Sequence, residues 1–149
     1  MNTALKYTLA AIVVLFLSAA GLVLAQSDAP YTEGSVWAVT MVKTKAGMSD
    51  DYLKNLNNAY RKVMEDAKKE NVIMDYKILV GDAASPNDFD ILLMVEYKNM
   101  AAMDTLRDKM DPLEKKVLGS EDQRRQATTK RGEIREILGA KTMREVTLK

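Results

Sequence analysis

Apolar residues along this chain change their spacing several times, and each change marks a predicted element. Val36 to Lys43 is rich in β-branched and aromatic residues and runs into Lys-Ala-Gly, which predicts a strand. From Ser49 the spacing switches to threes and fours. Tyr52, Leu53, Leu56, Tyr60, Val63, Met64 and Ala67 then predict one amphipathic helix ending near Glu70-Asn71. Ser49 is its expected N-cap, Asp50 and Asp51 suit the positive end of the helix dipole, and Asn71 suits a left-handed cap. Strands are predicted at 72–83 and 89–97, and the short Pro-containing loop between them favours an antiparallel hairpin. Asn99 opens a helical segment carrying Met100, Met103, Leu106 and Met110, with an interruption and restart expected at Asp111-Pro112. Ser120 and Gln123 form a capping-box pattern for a further helix expected to end at Gly139. Residues 141–149 alternate enough for a terminal strand.

This order, β-α-β-β-α(α)-β, predicts an α+β ferredoxin-like fold: a four-stranded antiparallel sheet with helices on one face. A sheet wet on one side should alternate cleanly between apolar and polar residues. The first and third strands are instead apolar at both parities, so both faces of the sheet should be covered. Little chain remains to cover the second face, and an isologous sheet-to-sheet homodimer is the simplest solution.

The first 25 residues fall outside this scheme. Lys6, an apolar run and the small residues before Gln26 read as a signal peptide cleaved before Gln26, which places the protein in the periplasm or outside the cell. The alternative is an uncleaved anchor, because Tyr7 to Ala25 is 19 residues without charge. No Cys follows the run, which excludes a lipid-anchored lipoprotein. Residues 26–34 are polar and read as a flexible leader, which leaves 35–149 as the folded domain.

Composition removes several chemistries. With no Cys, an exported domain must fold by its core alone; with no His, it lacks a histidine base, a haem-ligating imidazole and a Cys/His zinc site. No metal and no cofactor is implied. Lys and Arg total 22 against 21 acids, and a balance this even argues against nucleic acid as a partner. Membrane contact is expected only through the N-terminal segment, if it is retained.

The strand, the Lys-Thr-Lys-Ala-Gly turn and the capped helix of "VTMVKTKAGMSDDYLKNL", followed by hairpin, helix and short last strand, resemble the dimeric α/β-barrel superfamily. Within it the chain is most similar to small stand-alone domains related to antibiotic-biosynthesis monooxygenases, over about residues 35–149. Ala46 stands where many relatives have Pro. The resemblance implies two ferredoxin-like subunits stacking their sheets, and a pocket between sheet and helices in each. Activities within such a superfamily are diverse, so the likeness does not choose among them; its haem-degrading branch needs a histidine that is missing here.

No residue declares itself catalytic. Trp37, the sole Trp, is a ligand-stacking candidate by resemblance to relatives that oxidise aromatic compounds, or else a core or interface aromatic. Tyr76 is weighed the same way, its hydroxyl meeting either a ligand or a structural partner. Arg124, Thr128, Arg131 and Arg135 recur at offsets of four, seven and eleven, one stripe of the expected last helix. Arg131 and Arg135 could clamp a carboxylate or enolate, since planar guanidinium forks suit such anions; the alternative is a solvated face with intrahelical pairs such as Glu121–Arg125. Gly132 beside them suggests close packing that turns Arg131 inward. Asp90 and Glu96 are the acids expected to be partly buried, with pairing to a cation or a proton-shuttling role as alternatives.

Three functions remain open: a binder of a small hydrophobic or aromatic molecule, a cofactor-independent monooxygenase or isomerase, and a structural dimerisation module. An enzyme predicts a cavity where Trp37 or Tyr76 meets a charged group. A binder predicts a cavity without converging ionisable groups, and a structural module predicts that the space is filled.

Overall fold

The computed structural model describes residues 28–149. The signal-peptide reading of 1–25 lies outside the described residues. Four strands, β1 (Tyr31–Thr44), β2 (Asp75–Val80), β3 (Ile91–Tyr97) and β4 (Arg135–Leu148), form one antiparallel sheet in the order β2-β3-β1-β4. That order, with the helices packed on one face, is the ferredoxin-like arrangement.

The helix after β1 is α1 (Ser49–Asn55), a π-helical turn (Leu56–Tyr60) and α2 (Arg61–Lys69) in one run. Gly47, at φ +76°, turns the chain out of the strand, and the Lys45 carbonyl accepts from the Met48 N–H at 2.9 Å. Met48 rather than Ser49 is the N-cap, and no side chain caps this end. The other end closes as expected. Asn71 is left-handed at φ +56°, and the Val72 N–H reaches back to the Ala67 carbonyl at 2.9 Å.

Asn99 caps a 3₁₀ turn (Met100–Met103) by accepting from the Ala102 N–H at 3.0 Å. Helix α3 (Leu106–Leu118) then passes through Pro112 without the expected restart, because burial of Leu113 holds the helix on the core beside the lost backbone donor. Ser120 and Gln123 form the expected reciprocal capping box of α4 (Glu121–Ile134). This helix stops five residues before Gly139. From Arg135 onward the chain pairs instead with β1, Arg135 opposite Thr44 and Ile137 opposite Val42. Long-range strand pairing here outweighs the local helical pattern.

The expected leader is also partly strand. β1 begins at Tyr31, because Tyr31 to Glu33 find partners in Leu148 to Val146 at the far end of β4. The compact unit runs over Tyr31–Lys149.

Strand alternation sends Val36 and Val42 towards the helices and Trp37, Val39 and Met41 to the opposite face. Two core clusters result. One joins Val36, Val63, Met64, Ala67, Ile73 and Leu113; the other joins Val42, Tyr52, Leu56 and Ile91. Each fully buried aliphatic side chain of this kind stabilises by about 1.5–3 kcal/mol. Among the described residues no helix covers the second face, where Leu79 and Met143 are each 51% exposed beside Val39, Leu92 and Met94.

Candidate functional site

Between α1, the π turn, α3 and α4 lies a cavity of about 290 Å³. The π turn shapes its roof. The Arg61 N–H bonds to the Leu56 carbonyl five residues back, and Leu56, Ala59 and Tyr60 all line the space. Such one-turn π insertions inside α-helices are common at functional sites. Tyr52, Val63, Met64, Leu93 and Leu118 complete a largely apolar wall.

Against that wall converge the guanidinium groups of Arg124, Arg131 and Arg135. Arg124 is held by two acids of α3, with its Nη1 at 3.4 Å from Glu114 and 3.6 Å from Asp111. Arg131 donates from Nη2 to the Thr128 hydroxyl at 2.9 Å, and the Arg135 guanidinium lies 5.6 Å from the Tyr52 ring centroid. Among the described residues, neither Arg131 nor Arg135 has a carboxylate within ion-pair reach. The Nε atoms of all three arginines and the Tyr60 hydroxyl are buried without a hydrogen-bond partner among these residues. Buried polar atoms are nearly always paired, so four orphans on one cavity are unusual.

Electrostatics agree with the geometry. Burial, and then the neighbouring Arg135, lower the pKa of Arg131 from its ordinary value. Burial raises the pKa of Tyr60, and raises that of Tyr52 against the opposing pull of Arg135 and Arg131. Both phenols are therefore protonated hydrogen-bond donors at neutral pH.

The structure brings together two of the four residues singled out from the sequence. Arg131 and Arg135 face one cavity, although Arg135 arrives from β4 rather than along the helix stripe. Trp37 and Tyr76 do not line it. Trp37 sits on the uncovered face, donating to Glu145 at 3.2 Å with the Lys77 ammonium 4.9 Å over its ring. Tyr76 donates to Glu65 at 2.8 Å and packs edge-on against Tyr60. Asp90 accepts from the Thr44 backbone and hydroxyl. The suggestion that Gly132 marks close packing fails: a Cβ there would meet nothing within 4 Å. Arg125 pairs with Asp122, not with Glu121.

Tyr52 and Tyr60 were absent from the sequence-derived site, and Arg124 entered it only as a member of the helix stripe. The two tyrosines carried a signal, since they stand eight residues apart on the apolar stripe with a polar atom each. Among the described residues no group of three or more acids could hold a metal ion, and no helix is long and apolar enough to cross a membrane.

No known protein-family profile and no curated protein matches the sequence. Solved structures with a similar chain path include HapK from Hahella chejuensis, with a TM-score of 0.49 and 8% identity over 74% of this chain and 91% of that one. A dimeric ferredoxin-like protein from an uncultured marine organism has a TM-score of 0.45 and 11% identity, over 79% of this chain and 90% of that one. The fold assignment rests on the strand order of this sheet and not on these likenesses.

Proposed function

We propose that this protein is an exported domain that binds a small hydrophobic or aromatic molecule and works as a sheet-to-sheet homodimer. The observation that carries the binding reading is the cavity under the π turn, apolar on one side and lined on the other by polar atoms that none of the described residues satisfies. A purely structural module would have filled that space, and at about 300 Å³ it reaches the lower end of small-molecule pockets. The dimer draws its support from the uncovered sheet face, where Leu79 and Met143 lie half exposed beside Trp37, Met41 and Met94. Patches of this kind mark interaction surfaces.

The alternative at the same cavity is a cofactor-independent monooxygenase or isomerase, with Arg131 or Arg135 stabilising an anionic intermediate. A base for the deprotonation is harder to find. Glu114, the carboxylate among the cavity's lining residues, is engaged by Arg124, and both phenols are too weakly acidic to serve. The converging arginines depart from the expectation of a binder without ionisable groups, but neither Trp37 nor Tyr76 lines the cavity with them and its one carboxylate is engaged, so binding is the better-supported reading.

Native mass spectrometry of the protein made from its full chain in an export-competent host tests all three parts together. The expected result is a dimer of chains beginning at Gln26, shifted in mass on exposure to a library of small aromatic compounds. A monomer counts against the sheet-to-sheet assembly, an uncut chain against cleavage, and a species that takes up no compound against binding.

A further inference from the structure

Resting on the binding reading above, we propose that the cavity's ligand is an organic monocarboxylate with a compact apolar body, its carboxylate gripped by Arg131 and Arg135. The charges at the cavity divide into two kinds. Arg124 already has counter-charges in Asp111 and Glu114. Arg131 and Arg135 have none in ion-pair reach among the described residues, yet they enter the same cavity with buried, unpartnered Nε atoms. Two neighbouring cations partly withdrawn from water raise each other's energy, and the effect grows as the surroundings become less polar. A protein gains from that arrangement only when an anion completes it.

The kind of anion follows from the donors and the wall. Guanidinium forks match the two coplanar oxygens of a carboxylate, and two forks supply more donors than one carboxylate can accept. The Tyr60 hydroxyl adds a buried donor without an acceptor among the described residues. Three guanidiniums and one carboxylate line the cavity, a surplus of two positive charges that Glu114 would oppose if a highly charged polyanion entered. Leu56, Val63, Met64 and Leu93 offer no partner for a polar group, so the part of the ligand that lies against them is apolar. A volume of about 290 Å³ limits it to one fused ring pair or a short chain.

The test compares charge at constant shape. Isothermal titration calorimetry of the full chain would use 2-naphthoate and octanoate against 2-naphthamide and octanamide, which replace the carboxylate by a neutral isostere. At least one acid should bind ~10-fold or more tightly than its amide, as expected for charge-assisted hydrogen bonds. Arg131→Gln and Arg135→Gln should each remove most of that preference, weakening the acids far more than the amides. Circular dichroism melts confirm that each variant is folded, and the acid–amide comparison on the unaltered protein stands without them. Equal affinity for acid and amide overturns the carboxylate assignment and leaves the binding reading intact. A preference for acids that survives both substitutions overturns the assignment to Arg131 and Arg135. Failure of all four compounds to bind at millimolar concentration counts against both the carboxylate and the cavity as a binding site.

Discussion

The two ends of the helix layer are built differently, although both pack on the same sheet. At one end Val36, Ala67, Ile73 and Leu113 close a core, with two ion pairs between elements beside it. Lys116 reaches Asp66 at 2.8 Å, tying α3 to α2, and Lys68 reaches Asp75 at 2.7 Å, tying α2 to β2. At the other end the π turn and α4 stand over a cavity, and two of its three arginines lack a carboxylate among the described residues. The same chain fills and neutralises one end but leaves the other hollow and positive. Poor packing would not collect the unpaired groups on one side, so the contrast points to a site that a ligand completes.

Truncation should expose the contrast most strongly. Leu113→Ala removes a buried side chain from the closed end and should cost about 2–4 kcal/mol in urea unfolding. Leu118→Ala, five residues along the same helix, cuts into a wall that already borders empty space. It should cost about 1 kcal/mol or less. Equal losses would mean that the cavity collapses in solution and that the two ends are alike.

A smaller effect is expected at the joint between α3 and α4, which aims the arginines. Gly119 sits at φ +82°, and a Cβ there would fall 2.1 Å from the Gln123 Oε1 that completes the capping box. Gly119→Ala should cost about 1–3 kcal/mol, because this positive-φ, extended-ψ backbone is open almost only to glycine. It should also weaken any cavity ligand, because it dislodges the cap of the helix that carries Arg124 and Arg131. A variant with unchanged melting temperature and unchanged binding would show that the joint does not position the site.

The weakest effect belongs to pH and to the closed end. Hydrogen bonds from Lys116 and Lys68 lower the pKa of Asp66 and Asp75 below the usual carboxylate value. A depressed folded-state pKa means that the unfolded chain takes up protons first. The ties therefore contribute above about pH 4 and are lost as pH falls through the folded-state values. Melting temperature should drop modestly below about pH 4, and Lys116→Met should flatten part of that drop. A profile unaffected by this substitution would show that the exposed tie contributes nothing, as many surface pairs do.

Sequence reasoning reached the closed end more easily than the hollow one. Apolar periodicity located the helices, and the left-handed Asn71 and the Ser120 capping box came from local chemistry alone. Arg131 and Arg135 were legible as a pair because helical spacing happened to put both near one face. Their true meeting depends on α4 ending at Ile134 and β4 swinging Arg135 in beside β1, a long-range event that no local pattern encodes. The π turn was equally hidden, since one added residue in a helical run leaves its apolar rhythm almost unchanged. Trp37 and Tyr76 drew notice as rare aromatics, but register sent one to the uncovered face and the other to Glu65.

Backbone amide shift mapping with 2-naphthoate tests the hollow end most directly. The largest changes should cluster on Leu56 to Tyr60, Thr128 to Arg131 and Arg135, with the closed end around Ile73 and Leu113 unmoved. Changes confined to Trp37, Leu79 and Met94 on the uncovered sheet face, or spread evenly over the domain, would contradict a ligand site beneath the π turn.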